Sequence, residues 1–326
     1  MRRDDVSGID VLENELSRGG GALLRVLLID HTTGKNIRWA TEDYAALGEG
    51  YAPEREITAA SITGAHGRVI QPRVLKDAAA KVQRTKGQAE VFTPAWLCNQ
   101  QNNLVDDAYF GRENVFNFPS RNGKNWRTNY APILFPDRRA WQTYVLAPRL
   151  EMSCGEAPYL VSRYDVSTGR PIPFLRRIGL LDRKLRVIDE RTDSPRTWFL
   201  WVRRAFESVY GFDLAGDNVL LARENLLATF LDAYQEKFIG QPTRRQLLSI
   251  ARVVAWNIWQ MDGLDGTTPY STRLAIEQGA LFDGGGDAET PVIEREPSRI
   301  YDWREKRELV FRDLMKGGFA HGTGGV

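Results

Sequence analysis

Three short stretches carry the residue types that a small-molecule site needs. In Arg149-Leu150-Glu151-Met152-Ser153-Cys154-Gly155-Glu156-Ala157-Pro158-Tyr159-Leu160, an acidic strand end runs into a small-residue turn and then a helical pattern. Such a strand, glycine turn and helix N-terminus present backbone N–H groups to an anionic or carboxylate-bearing ligand. In Gly211-Phe212-Asp213-Leu214-Ala215-Gly216-Asp217-Asn218-Val219 and the residues up to Leu227, an acidic residue ends a second strand, where it can accept both hydroxyls of a ribose. Asp213 is the candidate acceptor; the ordinary alternative for Asp213 and Asp217 is capping of the helix that follows. The third stretch, Ala89-Glu90-Val91-Phe92-Thr93-Pro94-Ala95-Trp96-Leu97, puts Thr93-Pro94 at a helix start, because threonine suits the cap and proline the first turn. Cys154 reads as a small buried residue before it reads as a nucleophile, and Glu156 as a helix N-terminal charge before a catalytic base.

The elements that must position these residues follow from periodicity. The apolar run Leu23–Ile29 followed by Thr32-Thr33-Gly34-Lys35-Asn36 predicts a strand entering a hairpin, with Ile37-Arg38-Trp39-Ala40 as its partner. Ser194–Tyr210, Gly216–Phe238 and Thr243–Trp256 each space their apolar residues helically, so strands and helices alternate. Between Tyr109 and Pro148 many aromatics sit among Gly, Asn and Pro; packing of a loop-rich insertion is the ordinary reading and stacking on bases the sharper one. The basic residues Arg73, Lys76, Lys81, Arg84 and Lys86 read as a solvated helix face or a nucleic-acid contact, as does the tract from Arg176-Arg177 to Arg183-Lys184 and Arg186. A polar linker begins at Phe282, Ile300-Tyr301-Asp302-Trp303-Arg304 reads as a short strand, and the last ten residues are glycine-rich.

Composition narrows the chemistry. The 326 residues hold 44 Lys and Arg against 42 Asp and Glu, an ordinary globular balance that excludes disorder, collagen and coiled coil for the whole chain. Two cysteines make no disulfide framework, and neither has a neighbour at metal-ligand spacing, so no metal is implied. With His31, His66 and His321 the only histidines, Ser–His and Cys–His nucleophiles have few possible bases. No apolar run approaches the roughly 18–20 residues of a membrane span and the first residues lack a signal peptide's apolar core, which predicts no membrane partner and a cytoplasmic location.

Taken together, the three stretches resemble the cofactor-binding motifs of adenine-specific DNA N6-methyltransferases, and the chain resembles proteins labelled restriction endonuclease subunit M over roughly residues 85–265. The family's Phe/Tyr-Thr-Pro segment corresponds to Phe92, Thr93 and Pro94. Its Asp-Pro-Ala/Ser-Cys-Gly-Ser/Thr-Gly loop corresponds to Glu151-Met152-Ser153-Cys154-Gly155-Glu156-Ala157, and its Gly-x-Glu/Asp-Ile…Leu-Ala-Arg-x-Asn-Leu segment fits Gly211 to Leu226 without a gap. Ile258-Trp259-Gln260-Met261-Asp262-Gly263-Leu264 resembles the strand whose acidic end, here Asp262, meets the cofactor adenine.

The resemblance implies an α/β fold like the class I methyltransferases, a mainly parallel sheet flanked by helices with an N-terminal extension of mixed structure. Its divisions would be an extension over 1–88, a cofactor domain over 89–282 with the aromatic insertion at about 109–148, and a tail over 283–326. It also implies S-adenosylmethionine held by Phe92, Thr93, Pro94, Glu151, Ser153, Cys154, Gly155, Asp213 and Asp262, with DNA as substrate. Two positions depart from the family pattern. Ala157-Pro158 replaces the second loop glycine, which removes an N–H donor and predicts extended backbone at Ala157. The Asn/Asp-Pro-Pro-Tyr/Phe tetrapeptide that would hold a flipped adenine is missing; its nearest likeness, Thr267-Thr268-Pro269-Tyr270, reads as a turn. A second reading therefore stands beside the enzyme: a module that binds cofactor, DNA or a partner subunit, with a second chain supplying catalytic or target-recognition parts.

Overall fold

The structure is a computed structural model that describes residues 9–11, 13–76, 93–279 and 288–316. Phe92, Lys81, Arg84 and Lys86 lie outside the described residues. In chain order, α1 (Glu13–Leu16), α2 (Ala22–Leu28) and α3 (Ala59–Ile62) lead to α4 (Ala95–Phe110), the hairpin β1 (Asn117–Pro119) and β2 (Trp126–Thr128), and α5 (Ala140–Leu146). The central run is β3 (Arg149–Met152), α6 (Leu180–Arg191), α7 (Pro195–Glu207), β4 (Val209–Asp213), α8 (Gly216–Lys237), α9 (Arg244–Asn257) and β5 (Ile258–Gln260). The hairpin β6 (Thr267–Gly279) and β7 (Ala288–Pro297), the hairpin β8 (Arg299–Asp302) and β9 (Arg307–Val310), and α10 (Phe311–Lys316) follow.

Local signals account for the central helices. Ser194 Oγ accepts the Thr197 N–H at 3.2 Å and Pro195 opens α7, whose Trp198, Trp201, Val202, Ala205 and Phe206 are buried at helical spacing. Thr243 and Gln246 close a reciprocal capping box at the start of α9. Parallel strands need long crossovers, and the helix pairs α6–α7 and α8–α9 supply them. β3, β4 and β5 accordingly form a parallel sheet in that order, pairing Glu151 with Gly211 and Asp213 with Gln260. The architecture is mixed α/β; the remaining strands pair antiparallel in two-stranded hairpins.

Strand alternation gives the sheet two faces. Val209 and Ile258 join the main hydrophobic cluster with α8, while Phe212 and Trp259 face the other way and are covered by Ile300, from β8, and Phe311, from α10. The segment after residue 288 thus closes one face of the parallel sheet. Residues from Leu16 to Ile70 share the main cluster with residues as distant as Ile258.

The expected strand at Leu23–Asp30 is instead the helix α2. Leu24, Leu27 and Leu28 are buried and Arg25 is exposed, a helical pattern hidden within a short apolar run that fits either period. Of the expected hairpin only the bridge between Ile29 and Asn36 forms. The basic tract also departs from expectation: Arg183 bonds Asp106 Oδ2 at 2.5 Å and Asn103 Oδ1 at 2.7 Å, and Lys184 bonds Ala147 O and Ser208 Oγ at 2.6 Å each. Both side chains are buried, which removes them from any solvated or phosphate-facing surface. Among the described residues no helix is long and apolar enough to cross a membrane.

Candidate cofactor site

β3 and β4, being parallel, deliver Glu151 and Asp213 to the same edge of the sheet, that of their C-terminal ends. Asp213 is buried and joins the two strands. Its Oδ2 accepts the Gly155 N–H at 2.9 Å, and its Oδ1 accepts the Ala215 N–H at 3.0 Å and Asn218 Nδ2 at 3.2 Å. Burial pushes its carboxyl up to about 6. Glu151 accepts the N–H groups of Tyr159 at 3.3 Å and Leu160 at 3.1 Å, while burial, with a smaller contribution from nearby Asp213, pushes it up to about 8. The Asp213 carboxyl ties the loop and closes an Asx turn on the Ala215 N–H; Ala215 is itself the N-cap residue of α8 and the helix has no side-chain cap, so the capping expected of Asp213 is not what it does.

The loop between the two acids is shaped by left-handed backbone at Ser153 (φ +48°), Gly155 (φ +52°) and Ala157 (φ +61°). Ala157 therefore does not take the extended geometry expected before Pro158. Instead its N–H donates to Cys154 O at 2.7 Å and its carbonyl accepts from Leu160 and Val161. Ser153 is exposed, and the Cys154 N–H donates to Phe212 O at 2.8 Å, extending the strand pairing by one residue. Cys154 is buried and its thiol is pushed well up by burial, so it has no thiolate character to act as a nucleophile. A Cβ at Gly155 would meet nothing within 4 Å, so the loop backbone faces open space there. Exposed Met152 and Leu214 extend from the ends of β3 and β4 beside it.

The helix expected directly after the glycine turn is missing. The chain turns through Ala157–Leu160 and reaches its next helix, α6, at Leu180. The reason is local: the left-handed backbone at 155 and 157 prevents a helical first turn there. The N-terminus of α6 meets the end of this loop, its Leu180 and Leu181 N–H groups donating to Tyr159 O at 2.8 Å and Leu160 O at 2.9 Å, and the Tyr159 and Leu160 N–H groups are already used by Glu151. Glu156 is not a helix-end charge either; its Oε1 accepts the Arg73 N–H at 2.6 Å and its Oε2 accepts Tyr164 Oη at 2.5 Å.

Thr93 and Pro94 precede α4, but Pro94 takes the N-cap position instead of the first turn and Thr93 stands one residue before it, so Thr93 does not cap the helix. Asp165 Oδ2 accepts the Ala95 N–H at 3.2 Å and so serves as the cap from a distant loop. Thr93 lies beside the Tyr159 phenol, and the Cys98 thiol is pushed up by burial and, to a smaller extent, by nearby Glu151, which places the first turn of α4 against the β3 loop. Asp262 departs from expectation. β5 ends at Gln260, and Asp262 closes a separate turn, its Oδ1 accepting the Leu264 N–H at 2.9 Å and its own N–H donating to Thr267 O. Gln260 takes the place opposite Asp213 and is held there by Arg38 N and by the carbonyls of Arg38 and Leu214, each at 2.8 Å.

Sequence reasoning missed the cover over the start of α8. The Gly216 N–H donates to Trp39 O at 3.2 Å, Tyr44 Oη bonds Asp217 Oδ2 at 2.7 Å, and Lys76 Nζ pairs with the same oxygen at 3.0 Å. It also missed how the helix supports the loop. Arg223 is fully buried and donates to the carbonyls of Leu27, Ile29, Ala255 and Ile258, while Asn225 Nδ2 holds Glu156 O at 3.1 Å. A glycine at the first position of α8 and an arginine on its buried face were the available signals.

The donor set bears directly on an adenosine-containing cofactor. An ionised carboxylate offers about four acceptor positions, three of which are used on Asp213; Glu151, raised to about 8, keeps its proton at neutral pH and offers that O–H beside the two N–H groups it accepts. Thr267-Thr268-Pro269-Tyr270, expected as a turn, lies in β6, where the ladder is irregular between Thr267 and Thr272 and Tyr270 has φ +53°. Thr268 Oγ1 and Ser298 Oγ are 3.1 Å apart there, so this segment pairs with the C-terminal part of the chain rather than ending a parallel strand. Compared with known proteins, the chain matches no protein family, no curated protein and no solved structure.

Proposed function

We propose that this chain is an S-adenosylmethionine-binding, methyltransferase-like module that serves DNA adenine modification together with a second subunit or domain. The observation that carries the reading is the bond between Asp213, at the end of the second parallel strand, and Gly155 in the loop after the first, with Glu151 alongside. That pairing of acid and loop, on consecutive parallel strands, is what the resemblance to DNA adenine methyltransferases asks for. In this reading Asp213 accepts a ribose hydroxyl, Glu151 faces the amine of the methionine part, and Thr93 with the first turn of α4 borders the same end. The cofactor, when bound, supplies an activated methyl group. The residues of this chain hold and orient it.

Transfer by this chain alone is the weaker reading, because Thr267–Tyr270 offers neither the amide nor the carboxylate that would accept the target amine. Calorimetric titration with S-adenosylmethionine, run on the wild type and Asp213→Ala, tests the proposal. Saturable heat that disappears in a variant that melts lower but is still folded at the titration temperature supports it; absence of both heat and thermal stabilisation in the wild type overturns it. Labelled-methyl transfer to unmethylated DNA by the purified chain alone would replace the module with a complete enzyme.

A further inference from the structure

β3 is an outer strand of the parallel sheet, paired on one side only among the described residues. The Arg149 N–H donates to Ser208 O at 2.9 Å, so in this register the backbone groups of Arg149 and Glu151 are used on β4 and those of Leu150 and Met152 are directed to the other side. The Leu150 N–H and carbonyl and the Met152 N–H have no partner among the described residues. A bare edge of this kind is a template for another strand. Leu150 and Met152, paired with Tyr210 and Phe212, share the sheet face that carries Phe212 and Trp259. Ile300 and Phe311 cover that face over β4 and β5, whereas Leu150 and Met152 stay exposed, Met152 to 67%.

The helix beside this edge has its polarity reversed. α4 buries Asn99 and Asp106 against Arg183 and Asn102 against the Tyr159 carbonyl, while Leu104, Val105, Ala108 and Tyr109 are exposed, Leu104 to 69%. At helical spacing these four lie on one flank with Cys98 and Gln101. That flank adjoins β3 at both ends. Tyr159 Oη bonds Gln101 and Glu151 acts on the Cys98 thiol at one end; at the other, the Tyr109 ring lies 5.1 Å from Tyr144, with Arg149 near enough to act on its phenol.

We propose that an extended strand from a second protein chain adds to β3 at this edge, beside the exposed flank of α4. The backbone chooses the occupant. Alternating N–H and C=O groups along an edge are matched by another extended backbone, whereas a docked helix keeps its own backbone bonds inside and would leave these unmade. The sheet points the same way. Parallel sheets are covered on both faces and commonly hold about five or six strands, and this one has three. The added strand would have Leu150 and Met152 beside it on one face and α4 towards the other, so the segment that fits is apolar on both sides and about as long as β3. The inference gives the second subunit of the proposed function its seat and rests on that part of the reading alone. Docking is followed without cofactor, so its failure and the failure of S-adenosylmethionine binding show separately.

Amide exchange in the full chain tests the proposal. The probe is a blocked, lysine-flanked peptide, Val-Ile-Val-Ile-Val, and the control is the same peptide N-methylated at all its amides. Without peptide, the Leu150 and Met152 amides should exchange faster than that of Glu151, which lies within the ladder, at every protein concentration. The peptide should slow them saturably, by about tenfold or more, and the N-methylated control should not. Leu104→Glu, at an exposed position, should keep the melting temperature and weaken the peptide by about tenfold or more. Edge amides already protected in the dilute free chain would show the chain covering its own edge, and protection that grows with protein concentration would show a second copy there. Either result overturns the proposal, as does a peptide without effect, equal protection by the N-methylated control, or a Leu104→Glu protein that binds the peptide unchanged.

Discussion

Replacing Gly216 with alanine sets helix propensity against tertiary packing. In an exposed helix interior the change would gain up to about 1 kcal/mol. At the start of α8, however, the new methyl would land on the Arg38 carbonyl oxygen, 2.9 Å from its carbonyl carbon and 2.9 Å from Ile57 Cδ1. Overpacking of this kind costs about 1–3 kcal/mol. The same Arg38 carbonyl accepts Gln260 Nε2 at 2.8 Å, so displacing it strains a bond worth about 1 kcal/mol. Offsetting the propensity gain leaves a net loss of about 1–3 kcal/mol, which at about 2–4 °C per kcal/mol lowers the melting temperature by roughly 2–12 °C. Thermal melts followed by circular dichroism read the size, and amide exchange over residues 36–40 should rise in the variant. Gly155→Ala is the control: with φ +52° and no atom within 4 Å of its Cβ, it should cost only the left-handed penalty of about 1–2 kcal/mol and leave residues 36–40 protected. A Gly216→Ala protein that melts at or above the wild type refutes the reasoning.

Further predictions concern buried charge. Glu151 is raised from 4.5 to about 8, so between those values the unfolded chain loses a proton that the folded chain keeps, and stability falls as pH rises through that window. At about 1.4 kcal/mol per pKa unit the fall should reach at least ~2 kcal/mol, and urea melts of Glu151→Gln at pH 5 and pH 9 should show that component gone. Arg223→Met would leave four backbone carbonyls without their donor and should cost about 3–5 kcal/mol, read as a lower urea midpoint; a loss below about 1 kcal/mol contradicts the assigned role. Glu224 has both carboxyl oxygens buried without a partner among the described residues, and burial together with Glu13 and Asp10 pushes it well up. Glu224→Met should therefore stabilise the fold by about 1–3 kcal/mol, more at pH 9 than at pH 6, in the same melts.

Much of the positioning framework was legible without the structure because its causes are local. Ser194 and Thr243 announce α7 and α9 through their own side chains, apolar spacing marks the buried faces, and Glu151 and Asp213 stand near the ends of short segments that became parallel strands. The alternation of strands and helices was legible in the apolar spacing, whereas the bond from Gly155 to Asp213 that joins the two strand ends was not. Other features had no local cause. The run Leu23–Leu28 fits a strand or a helix equally, and the helix was selected by the core that buries Leu24, Leu27 and Leu28. Arg183 and Lys184 look like surface charges until Asp106, Asn103, Ala147 and Ser208, all distant in sequence, supply their partners. Gln260 rather than Asp262 came to stand opposite Asp213 because strand register and the grip of Arg38 decide which side chain occupies a strand end. The sequence by itself determined the caps, the periodicities and the acids available at the strand ends. Only tertiary structure decided which faces were buried and which charges were paired, because burial and pairing depend on atoms brought together from far along the chain.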